Sequence, residues 1–141
     1  MRILGLDFGE KNIGVALSDE LGWTAQGLDN LSHKSKQENI TAIAELVKER
    51  QVTEIVVGMP KKLDGSLGKK AQQVISFVED LKKQVNLPIK VWDERFSSVQ
   101  AERAMLEADL SRKKRKSRID RLAAQLILQN YLDANANNKD V

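Results

Sequence analysis

Arg2-Ile3-Leu4-Gly5-Leu6-Asp7-Phe8-Gly9-Glu10-Lys11-Asn12-Ile13-Gly14-Val15-Ala16-Leu17-Ser18-Asp19 opens the chain and decides its fold. Ile3, Leu4 and Leu6 form an apolar run, which predicts a strand buried in a sheet. Asp7 closes that run, and residues 8–12 make a turn. Ile13, Val15 and Leu17 alternate with Gly14, Ala16 and Ser18, the period of a second strand. Glycines in such a strand let a backbone or a ligand come close. Asp7 is thereby a carboxylate at the edge of an apolar core. A buried charge is costly unless it meets a cation, a donor set or a metal. A turn aspartate bonded to nearby amides meets the same requirement, and a single Asp-x-Gly does not separate the two readings.

A chain of 141 residues suits one domain, 1–141, with a real core. Its 41% hydrophobic and 30% charged content is that of an ordinary soluble globule. The absence of cysteine excludes disulfides, thiolate metal sites and cysteine nucleophiles. His33 is the single histidine and sits in a polar connection. It reads as surface, and it argues against a histidine-built zinc centre and most triad chemistry. Any bound metal should therefore have oxygen ligands, which suits Mg²⁺ or Mn²⁺. No signal-like segment precedes the first strand and no apolar run could span a membrane, so a cytoplasmic protein is expected.

The net charge of +3 hides an asymmetry. Arg112, Lys113, Lys114, Arg115, Lys116, Arg118 and Arg121 crowd residues 111–121 with Asp120 as the one acid, leaving the rest of the chain net negative. Positive charge gathered in one segment suits contact with a polyanion, although a solvated basic loop has the same composition.

Beyond the hairpin, residues 23–28 carry a weak third-strand pattern, with Trp23 and Phe8 expected to pack. Ile40, Ile43, Ala44 and Val47 predict a helix over 36–50. Residues 54–59 read as a buried parallel strand, stopped by Pro60. The basic, glycine-containing loop 60–68 follows at that strand's carboxyl end, a ligand-facing position in open α/β sheets. Ala71, Val74, Ile75, Val78, Leu81 and Val85 mark a second helix, ending near Asn86 and Pro88. Residues 89–92 form another strand and deliver Asp93, Glu94 and Arg95. Ser97 with Gln100 resembles a capping box for a helix carrying Ala101, Ala104, Met105 and Ala108. A last helix is expected over 119–132, with a frayed tail at 133–141.

Asp7, Glu94 and Asp120 stand out. Parallel neighbouring strands would set Asp7 and Glu94 at one sheet end. A helix laid across that end could bring Asp120 to them. Three converging carboxylates repel one another unless cations lie between them. Two divalent ions about 3.5–4 Å apart can clamp the attacking and leaving oxygens of a phosphodiester displacement. Taken singly, Glu94 and Asp120 read equally as surface charges beside Arg95 and Arg121.

Four motifs in register resemble the YqgF/RuvX family: residues 5–9 with Lys11, 13–16 and 18–19; residues 56–60 with Asp64-Gly65; residues 93–98 with Ala101-Glu102; and Ile119-Asp120, Ala123-Ala124 with 127–132. Lys69-Lys70 departs from it, where relatives often carry Gly or Arg. The resemblance implies a ribonuclease H-like α/β fold, a mixed five-stranded sheet with its first three strands antiparallel, flanked by helices. It implies a metal-dependent nuclease using Mg²⁺ or Mn²⁺, with Asp7, Glu94 and Asp120 as catalytic metal ligands. Asp7 would bridge two ions and the other acids would each hold one side. Lys11, Lys61, Lys62, Arg95 and residues 112–118 (Arg112, Lys113, Lys114, Arg115, Lys116, Arg118) would hold the nucleic-acid backbone. The family is associated with 5′-end maturation of precursor 16S ribosomal RNA and with Holliday-junction resolution. The expected substrate is the ribosomal RNA precursor and the expected state a monomer. A dimeric resolvase on branched DNA is the alternative, since a junction's two-fold symmetry asks for two copies. Readings from other classes are an actin-like nucleotide-binding domain, suggested by Asp7-Phe8-Gly9 before a hairpin, and a non-catalytic RNA-binding protein.

Overall fold

Ile3, Leu4, Gly5 and Leu6 are all buried because their strand is covered on both faces. A strand roofed on one side only would alternate. The structure, a computed structural model, describes residues 2–8, 12–32, 35–59, 68–93 and 112–139, with side chains of the last segment described over 122–135. The elements are β1 (Arg2–Phe8), β2 (Ile13–Ser18), β3 (Ala25–Leu31), α1 (Lys36–Glu49), β4 (Val52–Met59), α2 (Lys69–Lys82), β5 (Ile89–Asp93) and α3 (Arg112–Lys139). The sheet order is β3-β2-β1-β4-β5. The first three strands are antiparallel, while β4 and β5 join β1 in parallel. This is the mixed five-stranded sheet expected from the family resemblance.

Strand alternation divides the core in two. Leu4, Leu6, Ile55 and Val57 point to one face, where Ile40 and Ile43 of α1 and Val74, Phe77 and Leu81 of α2 cover them. Phe8 joins that layer with its ring 5.1 Å from Phe77. Ile3, Ala16 and Val56 point to the other face, covered by Ala123, Ala124, Ile127, Leu128, Tyr131 and Leu132 of α3. Helix α1 starts where Ser35 accepts a hydrogen bond from the Glu38 amide at 3.1 Å, satisfying an amide that the first turn leaves unpaired. Lys36 pairs with Asp80 of α2. That bond holds the Asp80 carboxyl below its ordinary range.

Several boundaries differ from the sequence reading. Strand β3 runs on to Leu31. Its poor pattern is that of an edge strand, whose register comes from β2 through Val15↔Leu28 and Leu17↔Gln26. Trp23 is 55% exposed instead of packed. It rides on a turn in which the Asp19 carboxylate accepts from the Trp23 and Thr24 amides at 2.8 and 3.1 Å. Gly22, at φ 74°, supplies the left-handed residue of that turn. Helix α2 ends at Lys82, ahead of the buried Val85. Helix α3 starts at Arg112, seven residues before the expected Ile119, and continues to Lys139 through the segment expected to fray. Lys and Arg are good helix formers, and no Gly or Pro interrupts the run. His33, the 60–67 part of the basic loop and the helix expected after Ser97 lie outside the described residues.

Candidate functional site

Asp7 ends an apolar strand and is 3% exposed. Its pleat partners on β1 are Ile3 and Gly5, so it faces α3. Across the ladder on β2 it meets Gly14. On the other flank the register runs Leu6↔Val57, which brings Gly58 to the level of Asp7, and Gly58 pairs with Trp92 on β5. The two residues laterally adjacent to the carboxylate are therefore glycines. No Cβ crowds it from either neighbouring strand, a use of glycine suited to close approach by a ligand. Strand β5 ends level with β4 at Asp93, opposite Met59. Asp7 and Asp93 thus mark the same end of the sheet.

Helix α3 runs antiparallel to β1. Tyr131 reaches Glu54, which lies level with Ile3, and Leu128 sits over Gly5. Four residues of helix advance about 6 Å, close to the roughly 6.6 Å between Gly5 and Asp7 along the strand. Ala124, fully buried, is thereby carried to the level of Asp7. Position 120 lies one turn further toward the carboxyl ends of β1 and β4. Ala123 and Ala124 are small enough to bring the helix axis close to the sheet here.

Polar contacts fix this placement. Gln129 accepts from the Ala25 amide at 2.9 Å and donates to the Trp23 carbonyl and the Asp133 carboxylate, each at 3.0 Å. The Tyr131 hydroxyl donates to Glu54 at 2.6 Å. Lys90 meets the same carboxylate at 3.0 Å, and that contact, with the Tyr131 hydroxyl, holds its ammonium above the ordinary lysine range. Trp92 stands edge-on to the Tyr131 ring at 5.5 Å. Tyr131→Phe removes one charge-assisted bond and should lower unfolding free energy by about 1–2 kcal/mol, read by urea denaturation.

The structure places Asp7 and the helical positions of Arg112, Lys113, Lys114, Arg115, Lys116, Arg118 and Asp120. Lys11, Lys61, Lys62, Glu94 and Arg95 lie outside the described residues. Among the described residues no three acidic or histidine side chains gather as a metal cage. The donor chemistry of Asp7, an oxygen ligand flanked by glycines, fits a hard divalent ion. The sequence reading missed Gln129, Tyr131 and Glu54. The first two stand in the closing motif, but nothing local to them names their partners.

A family model described as RuvX, Holliday junction resolvase, matches residues 1–134. A protein of Halothermothrix orenii named "Putative pre-16S rRNA nuclease" is 53% identical over 133 residues, covering 94% of this chain and 95% of its own. One of the same name from Syntrophomonas wolfei is 49% identical over 140 residues, covering 99% of each chain. Among solved structures, RuvC of Thermus thermophilus in complex with a Holliday junction substrate aligns at a TM-score of 0.59 and 15% identity, covering 97% of this chain and 96% of that one. The fowlpox virus resolvase bound to junction DNA aligns at 0.54 and 15%, covering 96% and 99%. These two likenesses are of fold.

Proposed function

The chain belongs to the RuvX family, and on that premise we propose that it is a metal-dependent nuclease hydrolysing phosphodiester bonds in the 5′-end maturation of precursor 16S ribosomal RNA. The observation that carries this reading is Asp7: a carboxylate 3% exposed, at the carboxyl end of the central strand, under a helix close-packed at that level. Glu94, next after the last residue of β5, and Asp120 on α3 would complete an oxygen-ligand set for Mg²⁺ or Mn²⁺. A bound divalent ion supplies Lewis acidity toward the phosphate and lowers the pKa of its water. The chain's own part would be to hold the three carboxylates together, and Gly14 and Gly58 leave lateral room beside Asp7. Lys11, Lys61, Lys62 and Arg95 would hold the phosphodiester backbone.

The family description favours one second reading, Holliday junction resolution, for which the junction's two-fold symmetry would ask for a dimer. Among the described residues the large exposed apolar side chains are Leu21, Trp23 and Val91. Leu21 and Trp23 sit on the β2–β3 turn and Val91 on the edge strand β5. A stable interface usually needs about 800 Å² per partner, so this distribution favours a monomer. No helix among the described residues is long and apolar enough to cross a membrane. The ribosomal RNA substrate proposed here is what places the activity in the cytoplasm. The test offers the purified protein, with Mn²⁺, a precursor 16S fragment and a four-way DNA junction. Site-specific trimming of the RNA by a protein that sediments as a monomer is expected. Paired symmetric nicks in the junction by a dimer that leaves the RNA intact would overturn the choice.

A further inference from the structure

A cavity of about 540 Å³ opens at the end of the sheet away from Asp7. Arg2 lies level with Val52, two residues after Arg50, so the start of β1 and the turn from α1 into β4 bring both arginines to one corner. Gln51, at φ 56°, makes that turn, the left-handed residue that often follows a helix. Strand alternation puts Arg2 on the face of Leu4 and Leu6, and Leu17 and Leu28 join the same layer. Helices α1 and α2 lie chiefly over β4, which leaves this corner of β2 and β3 open. Arg2 stands five residues before Asp7, about 17 Å along the strand, and Asp7 faces α3 on the other side of the sheet. The cavity is therefore separate from the candidate nuclease site.

Arg2 and Arg50 both line it. Arg2 reaches Glu20 at 3.5 Å, with the glutamate side chain 76% exposed, a loose surface pair. Arg50 makes no ion pair among the described residues. Leu17, Leu21 and Leu28 give the lining an apolar shelf, and Thr24 and Gln26 add neutral hydrogen-bonding groups. Apolar walls with a few converging polar groups, at this volume, are the form of a small-molecule site. Guanidinium forks match the oxygens of a phosphate and stack on flat rings. Asp19 and Glu20 line the cavity as well. Their two negative charges offset the two positive ones, so a polyanion running through gains little. A single phosphate seated between the guanidinium groups gains both. We propose that this corner binds a nucleoside monophosphate, with its phosphate between Arg2 and Arg50 and its base on the leucines. The proposal does not depend on the nuclease reading.

The test is calorimetric titration of the full chain, in EDTA, with AMP, GMP, CMP and UMP, and with adenosine and inorganic phosphate as controls. Saturable binding of at least one nucleotide is expected, with one molecule per chain and a Kd below about 1 mM. Both controls should bind more weakly, since each offers only half of the contacts. Arg50→Gln and Arg2→Gln should each weaken nucleotide binding about tenfold or more, the effect of losing a charge-assisted bond. Leu21→Ser, at a position 72% exposed, should weaken it too by removing part of the shelf. Asp7→Asn should bind the nucleotide as the unmodified protein does. Circular dichroism checks that each variant is folded. Should Arg2→Gln fail to fold, Arg50→Gln, at an exposed position closing α1, carries the test alone. The proposal is overturned if none of the four nucleotides binds saturably, or if Arg50→Gln binds unchanged. It is equally overturned if Asp7→Asn abolishes binding, or if inorganic phosphate binds as tightly as a nucleotide.

Discussion

Asp7→Asn is expected to leave a folded protein whose cleavage rate has fallen at least a hundredfold, equivalent to about 2.7 kcal/mol of transition-state stabilisation. The substitution keeps the shape, removes the charge and turns one acceptor oxygen into an NH2 donor, at a position 3% exposed between Gly14 and Gly58. A fold that persists in the melt while activity collapses assigns the loss to chemistry and not to folding. Glu94→Gln and Asp120→Asn should act alike. The triple variant should be little worse than the worst single one, because groups that work as one unit are not additive. The measurement is single-turnover cleavage with Mg²⁺ or Mn²⁺ beside a urea melt. Full activity of Asp7→Asn in a clean preparation would remove the carboxylate from the chemistry.

Gly5→Ala should destabilise the fold by about 1–3 kcal/mol, the usual cost of overpacking, and lower activity with it. A Cβ at Gly5 would stand 2.8 Å from the Leu128 Cβ and 3.4 Å from its Cγ and Cδ2. The nearest atom is fixed to the α3 backbone, so no rotamer change relieves the clash. The helix must lift from the sheet, and position 120 moves with it. Leu128→Ala keeps the offending Cβ and opens a cavity, so the double variant should be worse than Gly5→Ala alone. Recovery of stability in that double variant would place the clash at the tip of the leucine and acquit the helix position.

The elements legible in the sequence are those whose burial writes a local period. Val15 and Leu17 alternate with small residues because the two faces of β2 differ in room: Val15 and Leu17 join the α1/α2 layer, while Ala16 lies against the close-packed α3. Ile40, Ile43 and Val47 repeat at helical spacing because α1 presents one stripe. Strand β3 was faint because an edge strand buries little: only Ala25 is fully buried along it. Trp23 misled because a large aromatic normally packs, whereas here a polar turn anchored by Asp19 holds it outward. The early start of α3 was hidden because a stretch with no apolar residue carries no period. As for the site, Asp7 showed itself as a charge closing an apolar run. Glu94 and Asp120 were set apart only jointly, by their expected convergence with Asp7 and by the family resemblance, since a single carboxylate beside an arginine looks like any surface pair. The anchors of α3 were not legible at all: Gln129 and Ala25 are 104 residues apart, Tyr131 and Glu54 are 77 apart, and no window of sequence contains both partners.

The same separation orders events during synthesis. Chains fold as they emerge, amino end first. By the time β5 has appeared, the layer beneath α1 and α2 has every one of its strands and helices. Among the described elements, the opposite layer is closed by α3 alone, which follows all the others in the chain. Until α3 emerges, a nascent chain therefore exposes Ile3, Ala16 and Val56 on that face and holds Asp7 without its roof. On the nuclease reading, a chain that has yet to make α3 is catalytically silent beside the ribosome, itself built on the class of RNA this protein would cut. Activity begins only when α3 docks, so translation times the switch.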